Sequence, residues 1–409
     1  MDSKIKNDGG LMKLLIFSYV FKPESFLVNE LAESLSHKIS ISVCTGLPNY
    51  PKGDFFEGYS LSGPFYEKFG NVEVYRYPMI PRKKGFLSLT LNYLSHLFFS
   101  LLKICQLPRS DVYFVFATSP LLIAIPAVIL KKIRKRPLVI WYQDLWPESF
   151  IAVTKTSPNS LLVKFLKIVT RWIYKNTDLM MIQSEAFRKS LDQYNYKGKT
   201  VYVPNWCPET TPTSETPKWL QDLNTEDSTL ISFAGNIGKA QALDSLLEVA
   251  YQTQNQKVIY LFVGDGSDKA RLEQRAAELK LSNVRFTGRK PLEDMPALFE
   301  QSDYLYASLA KDELFALTLP SKVQSYMAAG KPLIVSLNGE GRRIVEEAQC
   351  GLSAPAESTE ELILAVEKAL KLSQVEREEL GQNARNYYLK HFDKAQVLSV
   401  IEKELKDLA

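Results

Sequence analysis

Short runs of continuous apolar residues alternate along the chain with segments whose apolar positions recur every three to four residues. The first pattern is that of a strand buried on both faces of a parallel sheet, the second that of a helix covering it. LLIFSYV (Leu14 to Val20) predicts a strand, Leu27 to Ser36 a helix and Ile39 to Cys44 a second strand, a βαβ opening. Strands follow at Val112 to Ala117, Leu138 to Trp141, Leu179 to Gln183 and Thr200 to Val203, with helices at Leu121 to Lys132, Leu161 to Tyr174 and from Ser184. The rhythm stops at PNWCPETTPTSETPKW, which has no apolar period and reads as a linker. It restarts at Thr229 with LISFAG and continues through strands at Val258 to Val263, Val284 to Phe286, Tyr304 to Ser308 and Pro332 to Ser336. The pattern gives an α/β chain with two Rossmann-like domains: a disordered extension at 1–11, a first domain at 12–205, a linker at 206–228, a second domain at 229–390 and a last helical segment at 391–409.

Two segments depart from the rhythm. The loop from Thr45 to Gly70 is long and aromatic, which argues for a binding surface. Phe86 to Leu107 is the most apolar helix, with Ser88, Asn92, His96, Ser100 and Lys103 on a narrow polar stripe. That stripe, and the strand directly after it, argue against a transmembrane span. A helix buried in its own domain and a helix docking on an anionic membrane through its basic flanks both remain open; Arg82, Lys83, Lys84, Lys131, Lys132, Arg134, Lys135 and Arg136 supply those flanks.

Composition changes the picture in three ways. The chain has 409 residues, enough for two cores, and a net charge of +4, too weak to imply nucleic acid. Four cysteines without CxxC spacing read as reduced cytosolic thiols. Three histidines without a metal-like pair, and no metal-ligand spacing of Asp or His, predict no metal site.

The chemistry concentrates in turns between strand and helix. In DYLYASLAKDELFALTLPSKVQSYMAAGKPLIVS, a loop from Lys311 to Leu319 leads onto a helix from about Pro320 to Ala329, whose start carries Thr318, Ser321 and Lys322. Free amides, the helix dipole, two hydroxyls and an ammonium suit a phosphate there, with Glu313 placed for an attached sugar. An ordinary crossover is the competing reading. GNIGKAQ sets Gly235, Asn236, Gly238 and Lys239 in a second phosphate-friendly turn. QDLWPES places Asp144, Trp146 and Glu148 at the carboxyl end of a central strand, where open α/β sheets hold ligands; Asp144 as a helix cap or ion-pair partner is the structural alternative. The glycines of a dinucleotide fingerprint are absent from the first turn.

FAGNIGKAQALDSLLEVA, VGDGSDKARLEQRA, VRFTGRKPLEDMPALFEQSDY and LPSKVQSYMAAGKPLIVS, with VPNW, resemble in order the family-4 retaining glycosyltransferases of the GT-B fold. FKPESFLVNELAESL, TGLPNYPKGDFFEGY and WYQDLWPES resemble a bacterial O-antigen or capsule subgroup that includes enzymes similar to L-fucosamine transferases. The resemblance implies two domains facing a cleft, with the last helix returning to the first domain through Val397, Leu398, Ile401 and Leu405. It implies a UDP-sugar donor, an undecaprenyl-diphosphate-linked sugar acceptor, peripheral contact with the inner membrane from the cytoplasm, and no cofactor or metal. Donor-site candidates are Gly235, Asn236, Lys239, Gly264, Arg289, Thr318, Pro320, Ser321, Lys322 and Ser325. Acceptor-site candidates are Glu24, Asn49, Tyr50, Trp146 and Glu148, and catalytic candidates are Glu313, Asp144 and Lys239. Against the family pattern, Asn236 replaces an Arg, Ser325 a Glu, Phe26-Leu27 a Gly pair, and Gln143-Asp144 a His-Asp pair.

The leading expectation is transfer of a sugar, N-acetyl-L-fucosamine being one candidate, with Lys239 and Lys322 stabilising the departing diphosphate. A GT-B UDP-sugar 2-epimerase and a non-catalytic scaffold of polysaccharide assembly are the alternatives.

Overall fold

The computed structural model describes residues 11–83, 85–207, 215–223, 225 and 227–409, and the extension expected at 1–11 therefore lies outside it except for Leu11. The chain divides into two compact units, Met1–Pro204 with Val397–Ala409, and Asn205–Gln396.

Among its described residues the first unit holds eight strands: β1 (Lys13–Ser18), β2 (Ser40–Gly46), β3 (Tyr66–Phe69), β4 (Val72–Tyr77), β5 (Val112–Ala117), β6 (Leu138–Tyr142), β7 (Leu179–Ile182) and β8 (Lys199–Tyr202). Their order is β3-β4-β2-β1-β5-β6-β7-β8, parallel except for the β3–β4 hairpin. β5, β6 and β7 are buried at every position, which is why they read as unbroken apolar runs. The second unit has β9 (Thr229–Ala234), β10 (Val258–Val263), β11 (Val284–Gly288), β12 (Tyr304–Ser308), β13 (Leu333–Ser336) and β14 (Gly351–Ala354), ordered β11-β10-β9-β12-β13-β14 and all parallel. This is the two-domain α/β GT-B fold.

The helix Lys394–Leu408 starts in the second unit and ends in the first. Val397, Ile401, Glu404 and Leu405 are its buried residues, while Leu398, expected among them, is only partly buried. Lys38 lies 2.8 Å from Glu402, and Lys199 pairs with Glu404.

Three expectations are corrected. The aromatic loop ends in the β3–β4 hairpin, where Tyr66 pairs with Tyr75 across the ladder. Part of the expected linker is built into the second unit: Leu220 is buried with Leu230, Leu261 and Leu298, and the Trp219 indole donates to Asp294 at 2.8 Å. The rest of it, 208–214 with 224 and 226, lies outside the described residues. The loop Lys311 to Leu319 contains a short helix, Glu313–Leu317, because Asp312 caps it by accepting from the amides of Leu314 and Phe315.

Candidate functional site

In the second unit β9 and β10 run side by side and end in glycines. Gly235 has φ +139° and Gly264 φ +146°, a region side chains rarely adopt. A Cβ on Gly264 would lie 1.8 Å from the Gly235 carbonyl oxygen, so the two turns meet backbone to backbone. A Cβ on Gly235 would lie 2.6 Å from Cε of Lys322. Lys322 reaches this corner from the helix Ser321–Ala328, whose Tyr326 hydroxyl accepts from the Ala234 amide at 3.1 Å. Its ammonium donates to Gln241 Oε1 at 3.1 Å and sits 5.0 Å from the centre of the Phe233 ring. Burial holds this lysine below its usual pKa.

A pocket of about 1080 Å³ opens beside the corner. It is lined by Gly235, Asn236, Val263, Gly264, Asp265 and Gly266 from the two turns, and by Arg289, Lys290, Pro291, Leu292 and Met295. Among the described residues, none of Lys239, Arg289 and Lys322 is within ion-pair distance of a carboxylate, although Lys239 acts electrostatically on Asp268 and Asp265 lines the pocket; Lys322 at the corner and Arg289 on the pocket lining join cations to close-packed glycine backbone. That combination suits an anion bearing a flat or ring-shaped group.

The remaining donor-side candidates fall around the same helix start. Ser321 is exposed. The Thr318 hydroxyl donates to the Phe315 carbonyl at 3.0 Å. Pro320 provides the extended N-cap position. Ser325 lies one turn further on, its hydroxyl 3.5 Å from Cys207 Sγ. Glu313 is exposed at the start of the short helix. The catalytic candidates are split: Lys239 and Glu313 are in the second unit and Asp144 is in the first.

In the first unit the carboxyl ends of the strands carry an ordered loop system. Glu24 accepts from the amides of Asn49 at 2.9 Å, Tyr50 at 2.7 Å and Phe21 at 3.2 Å. Both its oxygens are thereby engaged, and burial raises its pKa while those amides oppose the rise. Asn49 is buried and accepts from the Arg82 amide at 2.9 Å. These two residues hold the loop; Tyr50, with the Arg82 guanidinium 5.9 Å above its ring, is what the loop presents. Asp144 accepts from the Ser119 amide at 2.8 Å and keeps solvent contact, and its crowded surroundings raise its carboxyl. Glu148 accepts from the Tyr194 hydroxyl at 2.9 Å, leaving Oε2 buried without a partner. Trp146 is buried with its indole N–H unpartnered.

Three contributors carried no assignment from the sequence, Gln241, Phe233 and Ser119, and a fourth, Arg82, was assigned to another role. Gln241 lies inside GNIGKAQ, so the turn was visible but not the direction of its last side chain. Phe233 and Ser119 carry no signal, because packing alone brings them to Lys322 and Asp144. Arg82 reads as membrane-facing from its basic neighbours; Lys131, 2.5 Å from Asp178, and Arg134, donating to the Pro108 carbonyl at 2.6 Å, are likewise tied into the domain.

Residues 215–387, which include this corner and pocket, match the family model described as glycosyl transferases group 1. The probable glycosyltransferase WbjE of Pseudomonas aeruginosa is 23% identical over 334 residues, covering 77% of this chain and 81% of that protein. The putative colanic acid biosynthesis glycosyl transferase WcaI of Escherichia coli (strain K12) is 23% identical over 405 residues, covering 95% and 98%. Among solved structures, Anabaena Alr3699/HepE in complex with UDP superposes with a TM-score of 0.70 at 16% identity, covering 97% of this chain and all of that one. With a group 1 glycosyl transferase domain carried on a GT-B scaffold, the chain is a glycosyltransferase.

Proposed function

We propose that the protein transfers a sugar, with retention of anomeric configuration, from a UDP-sugar to a saccharide carried on undecaprenyl diphosphate, at the cytoplasmic face of the membrane. The observation that carries the donor half is the Gly235–Gly264–Lys322 corner, with Arg289 lining the pocket beside it. The UDP in the Anabaena structure and the colanic acid name of the Escherichia coli relative support the nucleotide and the polysaccharide context. The fucosamine subgroup resemblance points to N-acetyl-L-fucosamine as the sugar.

In this reading the bond between the anomeric carbon and the diphosphate oxygen breaks, and the acceptor hydroxyl oxygen bonds to that carbon on the same face. The departing diphosphate takes the hydroxyl proton. Lys322 and Lys239 stabilise the charge growing on the diphosphate, and they do so best where water is excluded. Glycine backbone at Gly235 and Gly264 lets the diphosphate approach closely. Positive charge therefore comes from side chains and amides, and activity should persist in EDTA.

The test is UDP release from a panel of UDP-sugars, with and without an undecaprenyl-diphosphate-linked saccharide. Release that needs the acceptor supports transfer. A changed sugar without acceptor would make the protein an epimerase, and inactivity with every donor would make it a scaffold.

A further inference from the structure

The helix Phe86–Lys103 is folded with its polarity reversed. Asn92, His96 and Ser100 are fully buried, while Leu87 is 72% exposed and Leu91, Leu94, Phe98 and Leu102 lie open on the same outer face. The inward turn has a cause. Asn92 donates to the Ile80 carbonyl at 2.5 Å, Ser95 accepts from the Ile80 amide at 2.9 Å, and His96 meets the Tyr77 hydroxyl at 2.8 Å. The strand end and the loop after β4 have backbone groups to satisfy, and the polar stripe satisfies them. Crossing a membrane would take Asn92 and His96 from these partners, so this helix stays on its domain.

A second helix repeats the feature. Leu161–Lys175 leaves Leu161 84% exposed, with Leu162, Phe165 and Ile168 also open to solvent. Ala124–Arg134 packs against both helices, so the three form one layer. Right-handed crossovers running from β4 toward β7 put all three on the same side of the sheet. The layer contains no Asp or Glu: the three helices carry one, three and four basic residues respectively. Lys132 of the middle helix lies 5.1 Å from the centre of the Trp172 ring of the third.

We propose that this three-helix layer is a monotopic docking face for an anionic bilayer. Two rows of large apolar side chains enter the boundary between headgroups and acyl chains, while Lys132, Lys164, Lys167 and Arg171 meet anionic headgroups. Charge selects the occupant. A second copy of the chain would set two cationic faces together, whereas a lipid surface with negative charge complements the whole layer. The inference takes its purpose from the lipid-linked acceptor proposed above and its evidence from the helices alone.

Flotation of the full chain with vesicles of phosphatidylcholine and phosphatidylglycerol, against phosphatidylcholine alone, tests it. Binding should require phosphatidylglycerol and weaken at high salt. Leu94→Glu with Phe98→Glu, and separately Phe165→Glu with Ile168→Glu, should each weaken binding about tenfold or more. Lys164→Glu with Lys167→Glu should weaken it about thirtyfold. UDP titration of the same variants should be unchanged, which establishes folding and keeps the two proposals separable. Unaltered vesicle binding by the Phe165 and Ile168 variant overturns the layer. So does a concentration-dependent dimer that these substitutions dissolve without any vesicle binding. Vesicle binding as described with no UDP binding would leave the docking face standing and remove the donor reading.

Discussion

The two units share one strand-to-helix grammar and use it for opposite ends. In the second, the functional features sit where β9 and β10 stop: the turns are glycine, the backbones nearly touch, and a half-buried lysine reaches them. In the first, the strand ends are crowded with interlocked side chains around Glu24 and Asn49, and the unusual surface is the outside of a helical layer. One unit is thus specialised at its strand termini by removing side chains, the other on its flank by turning apolar ones outward. The difference teaches that a parallel sheet can be fitted to a small anion or to an extended surface without altering its topology, because strand ends and helix backs vary independently.

Substitutions that touch one feature and spare the other sharpen this contrast. The largest effect should come from Gly264→Ala, which drives a methyl into the Gly235 carbonyl and forces a side chain to φ +146°. It should cost about 3 kcal/mol or more in urea unfolding. Gly70→Ala at φ +58°, with nothing within 4 Å, should cost only about 1 kcal/mol. Equal costs would mean that the two glycine turns are not in close contact.

Next is a pH effect confined to the first unit. Burial lowers the His96 pKa from 6.5 to about 3. Below the unfolded value the unfolded chain binds the extra proton, so stability present at neutral pH is lost as pH falls toward 3. The loss should be about 2 to 3 kcal/mol between pH 6.5 and 4.5, read as a falling denaturation midpoint of that unit. His96→Gln should flatten the slope, and an unchanged slope would show that the polar stripe is hydrated.

A smaller effect is expected at Ser160, whose hydroxyl accepts from the Val163 amide at the start of the helix Leu161–Lys175. Ser160→Ala should lower stability by about 1 kcal/mol in thermal unfolding. No loss would mean that the helix start is held by packing alone.

The fold was legible where burial is two-sided: β5, β6 and β10 are continuous apolar runs, and β9 and β12 are apolar but for Thr229, Ser232 and Ser308. β3 and β4 were not, because YEKF and VEVYRY are half polar, β3 being the edge strand and β4 the one beside it. The turns at Gly235 and Lys322 were readable from residue type and spacing. Their contact was not, since it depends on β9 and β12 becoming neighbours across a long sequence gap. The Phe86 helix left one thing open: periodicity gives the width of a polar stripe but not which way it faces, and here the Ile80 backbone groups, paired by Asn92 and Ser95, decide.

The most direct test of the account is calorimetric titration of the full chain with UDP and with uridine, in EDTA, for the native protein and Lys322→Ala. The account predicts that UDP binds without added metal and that the substitution weakens it by about 2 kcal/mol or more, while uridine is almost unaffected. Because burial lowers the Lys322 pKa, native affinity for UDP should also fall at an alkaline pH below that of an ordinary lysine. Equal losses for UDP and uridine, or UDP binding indifferent to Lys322, would contradict the placement of the diphosphate at the Gly235–Gly264 corner.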